Sequence, residues 1–449
     1  MNRKLFATTA GLAGLALLAT GAAWGQDASP EVQALAEQAA AQTVEFQFVF
    51  NTFMFLMMGL LVMFMAPGFA MLEAGLVRTK NTATILLKNI ALFSIAGLMY
   101  WAFGYAIMYP GEFNGYFGIG DLFYNADSAL EDDMGEVGYS KMSDWWFQMV
   151  FVATAASIVS GALAERIKLW SFLLFVVVLT AVIYPIQGAW HWGGGWLNAN
   201  GFYDFAGSTI VHSVGGWAAL VGAILLGARK GKYGPDGKVS PMQGANLPLA
   251  TLGTFILWFG WFGFNGGSQL ALGTGGDANA ISVIFANTFV AAAAGVVGAM
   301  VISQITYGKV DLTLALNGAL GGLVGITAGP EHTNMITPII IGLVSAGLVI
   351  GSVKLLDTLK IDDVVGAIPV HLVCGIWGTL AVGIFYSDKS LLWQLIGIVS
   401  IGAFVVVTSA IVWLIIRAIL GLRVSEEGEM MGLDKSELGM EAYPEFSSR

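Results

Sequence analysis

The chain has 449 residues, of which 56% are hydrophobic and 11% charged, against roughly 25% charged residues in an ordinary soluble domain. That balance excludes disorder and most soluble folds, and the formal net charge of −10 speaks against nucleic acid as a partner. Glycine, at 59 residues, stands well above its usual share of roughly 7%, which suits helices packed closely through small residues in lipid. The single cysteine, Cys374, excludes a disulfide framework and a cysteine-based metal cluster.

In chain order, residues 1–25 read as a secretory signal peptide: Arg3 and Lys4, an apolar stretch from Leu5 to Thr20, then small residues around Ala23 and Gly25. An uncleaved first helix is the alternative. Cleavage leaves 26–45 as an extracytoplasmic N-terminal segment. Residues 46–420 form one transmembrane domain, in which eleven apolar spans are predicted near 46–72, 82–108, 145–163, 169–187, 205–228, 247–266, 279–306, 312–329, 335–355, 366–386 and 391–420. The fold class is therefore an all-α polytopic membrane protein. An outside start and an odd span number place the 421–449 tail in the cytoplasm, and the cationic residues agree. Of 18 Lys and Arg after the signal, only Lys141 and Lys389 fall in outward segments.

The outward loop from Pro110 to Asp144 is acidic, with Glu112, Asp121, Asp127, Glu131, Asp132, Asp133, Glu136 and Asp144 against one lysine. It either draws cations to the outer face or is a solvated loop whose charge is screened within about 8 Å.

A weak internal repeat carries more information. Val211-His212-Ser213-Val214-Gly215-Gly216 parallels Val370-His371-Leu372-Val373-Cys374-Gly375, each with a tryptophan just after it, Trp217 and Trp377. The histidines fall on the fifth and tenth spans, so the chain reads as five helices duplicated in opposite orientation plus an eleventh, a transporter architecture. Ionisable residues inside a span are costly and mark function. A helix-to-helix hydrogen bond would explain one buried histidine; a repeat-related pair points instead to polar lining of an apolar path. His191 and His332 fall in outward loops and read as surface residues. Asp204, eight residues before His212, either caps that helix or is a buried anion beside a cation site.

Aromatic residues gather near the expected outer span ends: Phe147, Phe151, Trp190, Trp192, Trp258, Trp261 and Phe264. They either anchor the headgroup region or form a cage whose ring faces attract a small cation by roughly 0.5–2 kcal/mol each.

Asp204-Phe205-Ala206-Gly207-Ser208-Thr209-Ile210-Val211-His212, with Gly161-Ala162-Leu163-Ala164-Glu165-Arg166, Trp192-Gly193-Gly194-Gly195, Trp261 through Ser268, Asp362-Asp363 and Val370-His371 through Trp377-Gly378, resembles the ammonium transporter (Amt) family, bacterial type. The resemblance implies an eleven-helix protomer in the cell inner membrane, a homotrimer with one pore per subunit, and passage of ammonium/ammonia. Matched motif by motif, it assigns Trp192, Phe151 and Ser268 to an outer cation site, Phe151 and Phe264 to a stacked gate, His212 and His371 to the pore lining, and Asp204 to the buried acid that supports substrate binding. No cofactor, metal or catalytic residue is implied.

The 421–449 tail resembles one that couples subunits and receives a PII regulatory protein, which would tie transport to nitrogen regulation. Leu438 departs from the histidine of that pattern, and the stretch from Asp363 to His371 runs longer than in some members, with Pro369 shaping the helix entrance. Two other readings compete with a transporter. One is a membrane ammonium sensor that seldom conducts, disfavoured because such members append a signalling domain and only 29 residues follow Leu420. The other is an intramembrane metalloenzyme, disfavoured because no ligand spacing or nucleophile motif appears.

Overall fold

The computed structural model describes residues 29–125 and 138–446. The expected signal peptide and the loop acids Asp127, Glu131, Asp132, Asp133 and Glu136 lie outside them. Among the described residues the chain is helical with no strand, and eleven apolar helices follow in order. These are α1 (Pro30–Leu76), α2 (Thr79–Met108), α3 (Lys141–Ala162), α4 (Leu169–Ala189), α5 (Ser208–Leu226), α6 (Leu247–Gly267), α7 (Gly275–Tyr307), α8 (Leu312–Ile326), α9 (Ile336–Thr358), α10 (Ile368–Phe385) and α11 (Leu391–Ile419). All but the short α8 reach 18 residues, enough for a membrane span with some tilt. The chain is a multi-pass membrane protein.

The main boundary difference lies at α1, which starts at Pro30 rather than near residue 46. The added turns, rich in alanine, glutamate and glutamine behind a proline at the first helical turn, are good helix formers with exposed polar sides. The helix is interrupted at Phe64, four residues after Leu60 and three before Pro67, a residue that cannot donate to the Met63 carbonyl.

Packing explains which helices surround the centre. Helix α3 is buried almost throughout, from Phe147 to Ala162, whereas α11 exposes Val399, Val407, Ile411, Ile415 and Ile419. A soluble protein would hide such a row; here it meets hydrocarbon.

Helices α5 and α10 carry the repeat. Each begins inside the protein with a π-helical turn, Ser208–Ser213 and Ile368–Val373, preceded by a glycine in the left-handed region, Gly207 at φ +106° and Gly366 at φ +83°, where a side chain would be strained. Their starts come from opposite faces: α5 follows the loop that bears Trp192, and α10 follows the Asp362–Asp363 corner on the face that carries the C-terminal tail. The two halves are thus inverted and meet in the middle.

The tail face is locked by charge. Asp362 accepts from the Arg229 guanidinium at 2.8 and 2.9 Å, and Arg166 donates to its carbonyl at 2.5 Å. Burial alone would raise the Asp362 pKa, but Arg229 and Arg166 outweigh it and hold the group at about 2. Glu165 binds Arg78 through backbone and side chain and lies 3.3 Å from Arg229. The tail itself docks here: Asp434 accepts from Ala83 and Thr84 at the start of α2, and Lys80 donates to the Glu429 carbonyl.

The helix pair leaves no room for a side chain at its crossing. A Cβ on Gly375 would fall 2.4 Å from the Ser208 carbonyl oxygen, and one on Gly216 would fall 2.7 Å from the Leu372 nitrogen. Gly375→Ala is therefore expected to cost about 1–3 kcal/mol through overpacking and to lower the thermal unfolding temperature in detergent. An unchanged midpoint would show that this close approach is dispensable.

Candidate functional site

On the face away from the tail lies a cavity of about 600 Å3, lined by Phe147, Phe151, Trp192 and Ser268 together with Asp144, Gln148 and Tyr105. Three of the expected outer-site residues are thus brought together from three segments. Phe151 comes from the middle of α3, Ser268 ends α6 as its C-cap, and Trp192 projects from the loop after α4. Ser268 donates its hydroxyl proton to the Phe264 carbonyl at 2.8 Å. With the proton turned back onto the helix, its oxygen lone pairs remain to accept from a cation. Trp192 is fixed by donating its indole N–H to the Asp204 carbonyl at 3.0 Å, and its ring stands edge-to-face on Phe151, centroids 5.9 Å apart.

Asp204 does not line that cavity. Its carboxylate accepts four backbone N–H groups, from Gly207 and Ser208 on one oxygen and from Thr209 and Ile210 on the other, at 2.8–3.0 Å. It caps the interior start of α5, whose first N–H groups have no partner within the helix, and touches the outer site through backbone bonds to Trp192 and His191. Asp363 repeats the device, accepting from Val365, Gly366 and Ile368 at 2.7–3.3 Å. Each acid stands eight positions before its histidine. Within this chain, then, the Asp363–His371 stretch is no longer than its counterpart.

Below the vestibule the rings close up. Phe151 and Phe264 are buried, their centroids 4.0 Å apart and their planes inclined by 33°. Phe264 in turn lies 5.2 Å from His212, and the His212 and His371 rings are 5.2 Å apart with their Nδ1 atoms at 3.2 Å. At that distance one Nδ1 carries the proton and the other accepts it. The two Nε2 atoms then differ, one a donor and one an acceptor. His212 Nε2 has no protein partner. Vestibule, paired phenyl rings and paired imidazoles form one series through the centre of the protein.

Several residues sit elsewhere than expected. Trp261 is not at an outer end but buried at mid-depth, stacked on His212 at 5.0 Å with its N–H given to Thr327. Trp258 turns away from the pore, onto Phe255 and Phe289. His191 is a buried residue, not a surface one: its Nε2 accepts from the Asp204 backbone at 3.3 Å, it lines the vestibule, and burial pushes its pKa down to about 4. His332 is half-buried against Tyr386. Asp144 belongs to the first turn of α3, buried and bonded by Tyr105 at 2.8 Å, rather than to a solvated loop. Glu73 and Lys88, on α1 and α2, are buried charges, although Lys88 is expected at the cytoplasmic side from its sequence position and Glu73 is not singled out. Their signal was ionisation inside an apolar span, the same signal that drew notice to the histidines.

The profile of the Ammonium Transporter Family matches residues 53–443. The "Ammonium transporter Amt2" of Archaeoglobus fulgidus is 42% identical over 421 residues, covering 87% of this chain and 87% of that protein. Among solved structures, one titled "Sensor Amt Protein" superposes with a TM-score of 0.82 at 36% identity, covering 88% of this chain and 99% of that one. Candida albicans Mep2 does so with a TM-score of 0.78 at 27% identity, covering 90% and 94%. The chain belongs to the ammonium transporter family.

Proposed function

We propose that the protein binds ammonium in the vestibule at Trp192, Phe151 and Ser268, removes its proton, and conducts neutral ammonia past Phe151 and Phe264 along His212 and His371. The observation that supports this most is the unbroken sequence of buried rings between the vestibule and the imidazole pair. A desolvated ammonium ion there would lose its water hydrogen bonds at a cost of several kcal/mol, whereas ammonia needs only the donor and acceptor that the two Nε2 atoms offer. Ring faces and the Ser268 oxygen select a small cation. Deprotonation then separates ammonium from potassium, which matches it in size and has no proton to give. Asp204 supports binding indirectly, as a fixed negative charge behind Trp192.

The wider assignments belong to the same reading. Residues 1–25 serve as a signal peptide, the 26–45 segment lies outside the cytoplasm, 46–420 is the transport domain, and the 421–449 tail is cytoplasmic in an inner-membrane homotrimer. The docking of that tail on α2 supports a regulatory role, with a PII protein as partner. The likeness to a protein titled as a sensor favours a second reading, in which the same site reports ammonium with little conduction. Flux into proteoliposomes separates the two.

Three outcomes are expected. His212→Ala or His371→Ala should cut selective ammonium flux by roughly tenfold, since each removes a pore hydrogen bond worth about 1 kcal/mol or more and disturbs the other, without preventing assembly. Both variants transporting normally while still excluding potassium would refute the paired-imidazole lining. Trp192→Leu should weaken the apparent affinity for methylammonium by a few-fold, the loss of one cation–π contact of about 1 kcal/mol, at unchanged membrane abundance. A variant that keeps full affinity and rate would make Trp192 an interfacial anchor. Labels on the tail should be inaccessible in intact cells and labels in the Pro110–Asp144 loop accessible, and the reverse pattern would invert the topology.

A further inference from the structure

Beneath His371, toward the tail face, is a second and much smaller cavity. It holds about 10 Å3 of water-accessible space, room for roughly one water-sized molecule. Its polar lining is His371, Glu73, Ser157 and Asn317. Glu73 stands on α1 one turn before that helix ends, 1% exposed. An ionisable side chain in such a place is expensive unless it is paired or used. Its partners hold one oxygen only: Asn89 and Ser160 both donate to Oε2 at 2.9 Å. Oε1 is used by neither bond and packs beside Gly161, where a Cβ would come within 3.3 Å.

Lys88, itself 1% exposed, supplies the compensating charge from α2. It donates to the carbonyl of the same Ser160 at 3.0 Å and lies over the Phe172 ring at 4.4 Å. The titratable groups facing Glu73 are thus Lys88 from α2 and His371 from α10. Helix α3 presents Ser157 and Ser160, and α8 presents Asn317, none of which titrates. A carboxylate whose charge is balanced nearby, which keeps an oxygen outside its structural bonds and shares a one-molecule cavity with the last pore histidine, has the parts of a proton-exchange site. A purely structural ion pair would have no need to border the pore.

The geometry points to Glu73 as the acid that returns a proton to the amine at the inner end of the pore, with Lys88, Asn89 and Ser160 holding its carboxylate form. In this step the Glu73 O–H bond breaks as a new N–H bond forms, so that the carboxylic acid and ammonia become carboxylate and ammonium. Hydronium from water on the tail side then reprotonates the carboxylate and leaves water. The step is reversible, and it rests on the ammonia-conduction reading above.

Proteoliposomes carrying wild-type protein, Glu73→Gln, Glu73→Asp and the charge-neutral pair Glu73→Gln with Lys88→Met test it through ammonium uptake flux at several pH values on the tail side. Glu73→Gln should lower the flux by roughly tenfold or more, as expected for loss of a general acid, and flatten its dependence on tail-side pH. Glu73→Asp should retain most of it. The double variant removes the lysine left unpaired in the single one, so it should keep wild-type thermal stability yet stay slow. Ammonium-induced infrared difference spectra should show a protonated-carboxyl band in the wild type that is absent from both glutamine variants. A double variant with wild-type flux and pH dependence, or spectra in which that band persists, would overturn the assignment and make the pair structural. Wild-type protein that passes no ammonium at all would instead overturn the conduction reading, and this inference with it.

Discussion

Backbone N–H groups at the start of a helix need partners, and inside a membrane protein water is not there to supply them. Helices α5 and α10 both start in that position, and everything central to the site depends on how the problem is met. Asp204 and Asp363 each place a carboxylate under the opening turn, and Gly207 and Gly366 let the chain bend into it. With the starts satisfied, each histidine comes to rest in the core facing the other. The Asp204 carbonyl then holds Trp192, so one residue serves both the helix and the vestibule through different atoms.

The series that follows grades polarity with depth. The vestibule offers lone pairs and ring faces near water. The phenyl pair offers closely packed rings without lone pairs, and the imidazoles restore one donor and one acceptor. A charged species is favoured at the first stage and opposed at the second, while a small neutral base meets little resistance at either. On the proposed conduction reading, selectivity would come from the order of environments, because no single contact in the series exceeds a few kcal/mol.

Much of this could be read in the chain. Span number followed from hydropathy because lipid demands long apolar helices, and the repeat stood out because histidine is rare at depth. Trp192, Phe151, Ser268, Phe264 and the two histidines come together along one path. What stayed hidden depended on direction. Hydropathy cannot tell a tryptophan at a span end from one turned inward, so Trp261 reads as lying near an outer span end although it stacks on His212. Nor does a loop position reveal burial, as His191 illustrates. The polar helical start of α1 was missed because only its apolar portion resembles a span. Asp204 was left open between cap and buried anion, and it is the hydrogen bonds to its oxygens that identify the cap.

The spacing of the two halves carries a further consequence. Asp204 and Asp363, Gly207 and Gly366, His212 and His371, and Gly216 and Gly375 are each separated by the same 159 residues. Cap, bend, imidazole and contact glycine therefore form a cassette that has kept its length in both copies. One residue inserted between acid and histidine would turn the ring by about 100° about the helix axis, away from its twin. Side chains in this stretch can differ between the two copies, but its length is fixed by the need to bring the two imidazoles together.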